Sequence, residues 1–384
     1  MANEKGVLLK ILCLITIKKR RVSAILIALN SSNELVSLAR PFRPEELSTL
    51  KKQEQYFCPG CGANLVLKAG EVKIPHFAHR SLADCDSFSE PETPLHLHGK
   101  LQLHQFFSRF NHHIELEKYL PAIKQRADLL VGQKTAIEFQ YSAIPASQVR
   151  SRSEGYRSIA IEPLWISGAP MLQPDGIQLI RLRQFERQMV RHSNGVDYLL
   201  SFCPETNVFT YASGLFWMGG NRWAAKLKSL PASAQQFPFA IPKKLAFEEY
   251  KAIFRLSAAQ RDAFVRSQQY AILRHRNPFW LLAYELKLNR LELPAIIGVP
   301  FAAAGRLDER PVIWQMRVIK AIRNRMPLAA LLDEGVIKPS LGTSDEKALA
   351  LLEDYAGIYS EITEDERDDG KLMEVLYAHY CKNA

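Results

Sequence analysis

One stretch limits the folds open to this chain more than any other: Arg126-Ala127-Asp128-Leu129-Leu130-Val131-Gly132-Gln133-Lys134-Thr135-Ala136-Ile137-Glu138-Phe139-Gln140. Ala127 to Val131 is apolar apart from Asp128, Gly132-Gln133 has turn chemistry, and Thr135 to Tyr141 alternates apolar and polar residues. That pattern predicts two short strands joined by a tight turn. Each strand carries one carboxylate, so the hairpin can bring Asp128 and Glu138 together. Convergent carboxylates are what a hard divalent ion such as Mg²⁺ needs. Glu138 and Gln140 are two apart and share a face of their strand.

The elements around the hairpin predict an α/β sheet with helices packed on its faces. Glu92 to Phe107 has helical periodicity, with Glu92, His96 and Lys100 at i, i+4 and i+8 along one stripe and Leu97, Leu101, Leu103, Phe106 and Phe107 as the packing face. Ile114 to Leu116 is an expected strand. After the hairpin, Pro145 opens a helix over Ser147 to Ser158 that carries Arg150, Arg152, Tyr156 and Arg157, a basic face suited to a polyanion. Ile159 to Ser167, with Trp165, reads as a buried strand. Strand-like pieces follow at Gln173 to Arg183 and Tyr198 to Ala212, and residues 219–245 are mixed. Helices are expected at Glu248 to Arg266, Phe279 to Leu291, Pro311 to Arg323 and Glu346 to Ala356.

Ahead of this core, Val22 to Leu29 and Glu34 to Ala39 form an expected hairpin, and Glu45 to Lys52 an expected helix. Then comes Tyr56-Phe57-Cys58-Pro59-Gly60-Cys61-Gly62, a turn that presents two thiolates to one ion. His76-Phe77-Ala78-His79 and Cys85 follow. Cys58, Cys61 and two of His76, His79 and Cys85 can complete a tetrahedral zinc site, with His76 and His79 as the first choice and Cys85 as the alternative. The histidine spacing is tighter than in finger helices, and strand-like pieces at Asn64 to Leu67 and Val72 to Ile74 suggest a zinc-ribbon hairpin. The domains expected are 22–88 (hairpin and zinc-ribbon-like module), 89–200 (α/β core) and 201–384 (mixed, then mostly helical).

The six cysteines among 384 residues make no disulfide framework, which points to a reducing compartment. Val7 to Ile17 is too short to span a bilayer, and its basic cluster follows the apolar run rather than preceding it. A cytoplasmic protein with no membrane span is therefore expected. The net charge of +10 favours a polyanionic partner, nucleic acid first. The excess is uneven. Residues 143–240 hold ten Lys/Arg against six Asp/Glu, whereas residues 345–370 hold ten Asp/Glu against two Lys/Arg. That distribution fits a phosphate-facing core and a solvated acidic stretch.

Taken together, Tyr56-Phe57-Cys58-Pro59-Gly60-Cys61, Pro75-His76-Phe77-Ala78-His79, Glu92…His96…Lys100, Arg126-Ala127-Asp128, Ile137-Glu138-Phe139-Gln140-Tyr141-Ser142 and Arg152…Tyr156 leading to Trp165-Ile166 resemble the competence protein CoiA family. Its core resembles the PD-(D/E)xK nuclease fold. The match runs from about Val22 to Gly168. The resemblance implies a restriction-endonuclease-like mixed sheet flanked by helices, with an N-terminal zinc-ribbon-like module and an α-helical C-terminal region. It implies a role in natural transformation on internalised DNA, expected to be single-stranded and bound without sequence preference, alongside other competence or recombination proteins.

By the same resemblance, Asp128 and Glu138 would ligate Mg²⁺ or Mn²⁺, Glu92 would complete the site, and His96 and Lys100 would face the same cleft. Gln140 stands where related nucleases usually carry Lys, and Lys100 is the candidate for the missing cation. Arg150, Arg152, Tyr156 and Arg157 would contact DNA, the arginines gripping phosphates. Three functions follow for testing: a metal-dependent deoxyribonuclease, a non-catalytic nuclease-like DNA-binding or adaptor protein, and a zinc-ribbon protein that binds protein partners.

Overall fold

The computed structural model describes residues 24–53, 55–70, 74–80, 93–111, 113–168, 171, 173–289, 293–302, 304–362 and 369–383. The expectations for residues 1–23, for Cys85 and for Glu92 lie outside the described residues. The chain forms two compact units, one of residues 1–98 and 116–127, the other of residues 99–115 and 128–384.

The first unit is built on a six-stranded sheet in the order β1-β6-β5-β4-β2-β3. Its strands are β1 (Ala24–Ile25), β2 (Ile27–Leu29), β3 (Leu35–Ser37), β4 (Tyr56–Phe57), β5 (Asn64–Lys68) and β6 (His76–His79), with helix α1 (Pro44–Gln53) between β3 and β4. Every pairing in it is antiparallel. The expected strand at Val72 to Ile74 falls, apart from Ile74, outside the described residues. Among the described residues β5 pairs with β6, with Leu65 opposite His79 and Lys68 opposite His76. This register carries His79 back to the Cys58–Cys61 turn. Glu117 is 1% exposed and accepts the Leu26 N–H at 2.9 Å, which satisfies a buried backbone donor.

The second unit holds a nine-stranded sheet. Its order is β13-β17-β16-β15-β12-β11-β10-β7, with β14 also paired to β15. The strands are β7 (Ile114–Leu116), β10 (Leu129–Val131), β11 (Thr135–Gln140), β12 (Glu162–Ser167), β13 (Gly176–Arg181), β14 (Arg191–Ser193), β15 (Val196–Cys203), β16 (Val208–Gly219) and β17 (Arg222–Pro231). The short pair β8 (Tyr119–Leu120) and β9 (Gln125–Arg126) belongs to the first unit. The sheet is mixed: β12 runs parallel to both β11 and β15, and its outer hairpins are antiparallel. Helix α3 (Ala146–Ser158) makes the crossover from β11 to β12, as a parallel pair requires.

Residues 219–245, mixed in the sequence, contribute the ten-residue strand β17. Its partner β16 carries two register shifts, between Ser213 and Phe216 and between Trp217 and Gly219, which bend the hairpin. The last part of the chain is helical: α5 (Phe247–Gln268), α6 (Pro278–Glu285), α7 (Pro311–Arg323), α8 (Ala329–Asp333), α9 (Asp345–Glu361) and α10 (Asp369–Asn383). These helices close one continuous core with the sheet, in which Trp165, Phe216, Trp217 and Trp223 join Trp314, Tyr355 and Tyr380. Among the described residues no helix is long and apolar enough to cross a membrane.

Helix α2 (Pro94–Ser108) and α3 cover opposite faces of β11. Phe139 points to the α2 side, where a Cβ added at Gly99 would lie 2.2 Å from its ring. Glu138, the next residue along the pleat, points to α3. Farther along α2, Phe106 packs on Phe209 at 4.9 Å between ring centroids and Phe107 on Phe237 at 5.0 Å, which pins the helix along the sheet.

Candidate functional site

The β10–β11 register pairs Leu129 with Ile137 and Val131 with Thr135, so Asp128 falls opposite Glu138. Gly132 and Gln133 make the turn with φ of 57° and 58°, the left-handed pair that matches strand twist. Asp128 is gripped from two directions. The Phe139 N–H donates to Oδ2 at 2.9 Å, and Lys100 Nζ lies 3.4 Å from Oδ1. Lys100 is 1% exposed. A buried ammonium is costly without a counter-charge, so its place on α2 is fixed by Asp128 as well as by packing. Gly99, one residue earlier, allows the helix to come this close.

Glu138 is 4% exposed, and its Oε1 accepts both from Arg152 Nη2 and from the Tyr156 hydroxyl. Arg152 Nη2 also approaches the Tyr156 oxygen at 3.3 Å. The two residues are four apart on α3 and reach the strand together. Trp165 on β12 backs them: its Nε1 donates to Ser153 Oγ at 2.8 Å, and the Arg152 guanidinium sits 5.9 Å from its ring. Burial pushes the Glu138 carboxyl above the ordinary glutamate range. The nearby Asp128 charge acts the same way, while Arg152 and the Tyr156 hydrogen bond oppose it. Burial likewise pushes the Tyr156 hydroxyl well above the tyrosine range, so it remains a donor. Gln140 is 9% exposed and donates from Nε2 to the Ser142 carbonyl at 2.8 Å.

The expected basic face of α3 therefore divides. Arg150 and Arg157 are exposed, and Arg150 pairs with Glu154 at 2.8 Å. Arg152 and the fully buried Tyr156 face the carboxylates rather than solvent. Spacing puts Arg152 and Tyr156 on one stripe, but only the fold reveals a glutamate beneath it. His96 lies one turn before Lys100 on α2, with its backbone N–H donated to Thr93 Oγ1 at 3.2 Å.

In the first unit, Cys58, Cys61 and His79 place their ligand atoms within 4.8 Å of one another, with Cys61 Sγ 3.4 Å from His79 Nε2. The group can hold a metal ion: two sulfurs and an imidazole are a borderline-soft donor set. His76 is outside this group, its Nδ1 being 2.9 Å from the Ile74 carbonyl. Burial pushes the Cys58 thiol up, but the backbone donors at Cys61 and Gly60 and the Arg126 guanidinium outweigh it and leave the thiol below its ordinary range. Burial and Arg126 hold His79 below the usual imidazole range. Both shifts favour the ligating forms, thiolate and neutral imidazole. Arg126 Nη2 stands 3.5 Å from Cys58 Sγ. Sequence spacing gave no hint of this role, since 68 residues separate the two.

Residues 92–244 match the family model of the competence protein CoiA nuclease-like domain, and residues 41–88 match that of the competence protein CoiA N-terminal domain. Over 274 residues the chain is 30% identical to Competence protein CoiA of Bacillus subtilis (strain 168), covering 69% of this chain and 71% of that protein. No solved structure matches. The nuclease-like match encloses Lys100, Asp128, Glu138, Arg152 and Tyr156, the N-terminal match encloses Cys58, Cys61 and His79, and the chain belongs to the competence protein CoiA family.

Proposed function

We propose that this protein acts on internalised DNA during natural transformation as a divalent-metal-dependent nuclease. The observation that carries this is the pair of carboxylates facing each other at the β10–β11 hairpin, Asp128 and Glu138, flanked by the buried Lys100 and the half-buried Arg152. Asp128 and Glu138 would hold Mg²⁺ or Mn²⁺. Their oxygen donors suit a hard cation, and both contacts made by Glu138 use Oε1, so Oε2 takes neither. Such an ion, when bound, polarises a phosphodiester and lowers the pKa of an attacking water.

The chain's own residues supply the rest. Lys100 provides the positive charge that Gln140 cannot, at the Asp128 side of the site. Gln140, sharing a strand face with Glu138, orients the water. Arg152 and Tyr156 position the Glu138 carboxylate; by the family resemblance Glu92 would complete the site and His96 would face it. The exposed Arg150 and Arg157 grip backbone phosphates without reading sequence, which suits a single-stranded substrate. Zinc is held by Cys58, Cys61 and His79, with Cys85 or His76 as the fourth ligand. The protein works in the cytoplasm with other competence or recombination proteins.

The test is cleavage of single- and double-stranded DNA with Mg²⁺ or Mn²⁺ by wild type, Asp128→Ala and Glu138→Ala. Metal-dependent cleavage lost in both variants is expected, and cleavage retained in both would place the site elsewhere. A second reading, a nuclease-like DNA-binding or adaptor protein, is favoured by one observation: each carboxylate already has an internal cationic partner. No cleavage by any form, together with salt-sensitive DNA binding that survives Glu138→Ala, would select it.

A further inference from the structure

Away from the carboxylate pair, the second unit contains an open cavity of about 250 Å³. It lies between the end of helix α4 (Gln184–Arg187), the sheet and the loop of residues 340–343 that leads into α9. Arg187, Arg306, Trp223, Ser340 and Thr343 line it. Among the described residues neither Arg187 nor Arg306 makes an ion pair with a carboxylate. The one acidic side chain of the lining, Asp197, is bound by His192 Nδ1 at 2.8 Å.

Arg187 is held rigidly. Its Nη2 donates to the Gly305 carbonyl at 2.7 Å, and its guanidinium lies 5.4 Å and 5.6 Å from the rings of Trp217 and Trp223. Burial without a bonded counter-ion pulls its pKa down, and Asp308 opposes this only through space. Trp223 is 6% exposed, and its indole Nε1 has no hydrogen-bond partner. Helix α9, 17 residues long, begins beside the cavity with Ser344 as its cap, and its own Asp345 and Glu346 answer its positive end, so the positive charge of the cavity comes from the two arginines.

A half-buried guanidinium with no carboxylate is costly unless an anion completes it. The guanidinium fork matches the geometry of phosphate oxygens. At about 250 Å³ the cavity is just below the range of drug-sized pockets, which suits one phosphorylated group rather than a length of chain. We propose that this cavity binds a phosphate monoester, either of a free nucleotide or at the end of a DNA strand, through Arg187 and Arg306. The site is independent of Asp128 and Glu138.

The test is calorimetric titration, with tryptophan emission as a second readout, of the full chain with inorganic phosphate, dAMP, deoxyadenosine, and decathymidylate with and without a 5′-phosphate. The oligonucleotides are titrated into Glu138→Ala, so that cleavage cannot enter. Binding of dAMP or of the 5′-phosphorylated strand is expected, with no binding of deoxyadenosine. It should weaken about tenfold or more in Arg306→Gln and in Arg187→Met, as loss of a charged contact predicts. Arg306→Gln carries the test if Arg187→Met fails to fold. Preference for dAMP identifies a free nucleotide, and preference for the phosphorylated strand identifies a DNA end; both uphold the site. Equal affinity in wild type and Arg306→Gln, or no phosphate-dependent binding by wild type, overturns it.

Discussion

Replacing Gly99 by Ala sets two effects of opposite sign against each other. Gly99 lies inside helix α2, where Ala is intrinsically favoured by about 1 kcal/mol. Its new Cβ, however, would sit 2.2 Å from Phe139 Cε1, 2.8 Å from Cζ and 3.0 Å from Pro204 Cγ. Carbon atoms rest at about 3.5 Å or more, so ring or helix must give by roughly 1.3 Å. Phe139 is 1% exposed and has Tyr141 and Phe202 rings around it, which leaves it little room to turn. Overpacking of this kind costs about 3 kcal/mol at the upper end of its usual range. The net expectation is a loss of about 2 kcal/mol, which for a unit of this size lowers the melting temperature by about 4–8 °C. Urea and thermal denaturation of Gly99→Ala measure it. A double-mutant cycle with Phe139→Leu should recover much of the loss, since the two sites share one contact. A Gly99→Ala protein as stable as wild type, or more stable, would refute the close approach of α2 to β11 and with it the placement of Lys100.

Other outcomes follow from the same geometry. Lys100→Met leaves the Asp128 carboxylate without its buried cation and should destabilise the fold by about 3–5 kcal/mol, read from the urea midpoint; a change under about 1 kcal/mol would mean that the pair is solvated. Cys58→Ser should lose about one equivalent of zinc by elemental analysis, and unchanged metal content would defeat the zinc assignment. Because the Cys58 thiol and the His79 imidazole both titrate below their ordinary values of 9.0 and 6.5, their ligating forms persist as pH falls. Zinc should therefore be released at lower pH than from a short peptide carrying the same two cysteines and histidine, followed with a chromophoric chelator; release at the same or higher pH counts against the site. Arg150→Ala with Arg157→Ala should weaken DNA binding evenly across sequences and lower the salt slope by roughly one per lost contact, whereas a sequence-selective loss would contradict a phosphate role.

Where local chemistry decides the outcome, the sequence was legible. The Asp128–Gln140 hairpin announces itself by alternation around Gly132-Gln133, and α7 begins at Pro311 and ends at Arg323 as its periodicity requires. The legible part of the metal group was its Cys58–Cys61 turn. The choice of His79 over His76 depends on the β5–β6 register, which periodicity does not fix. Periodicity puts Lys100 on a polar stripe of α2 and does not turn it inward; the resemblance aims it at the cleft, and the packing of Gly99 on Phe139 is what brings it there. Arg152 and Tyr156 read as a basic surface for the same reason: their partner Glu138 is 14 and 18 residues away in sequence. The tryptophan-backed cavity at Arg187 and Arg306 left no trace in the sequence, since its lining is drawn from segments more than a hundred residues apart.

The quartet of Lys100, Asp128, Glu138 and Arg152 has a consequence for the order of events in the life of the molecule. Fully ionised, it carries two charges of each sign, and each acid already faces a base. Folding of the second unit is therefore not obliged to wait for a divalent ion to hold two carboxylates together. The chain can complete this part of itself first and meet its ion later, and chelation should leave the second unit standing.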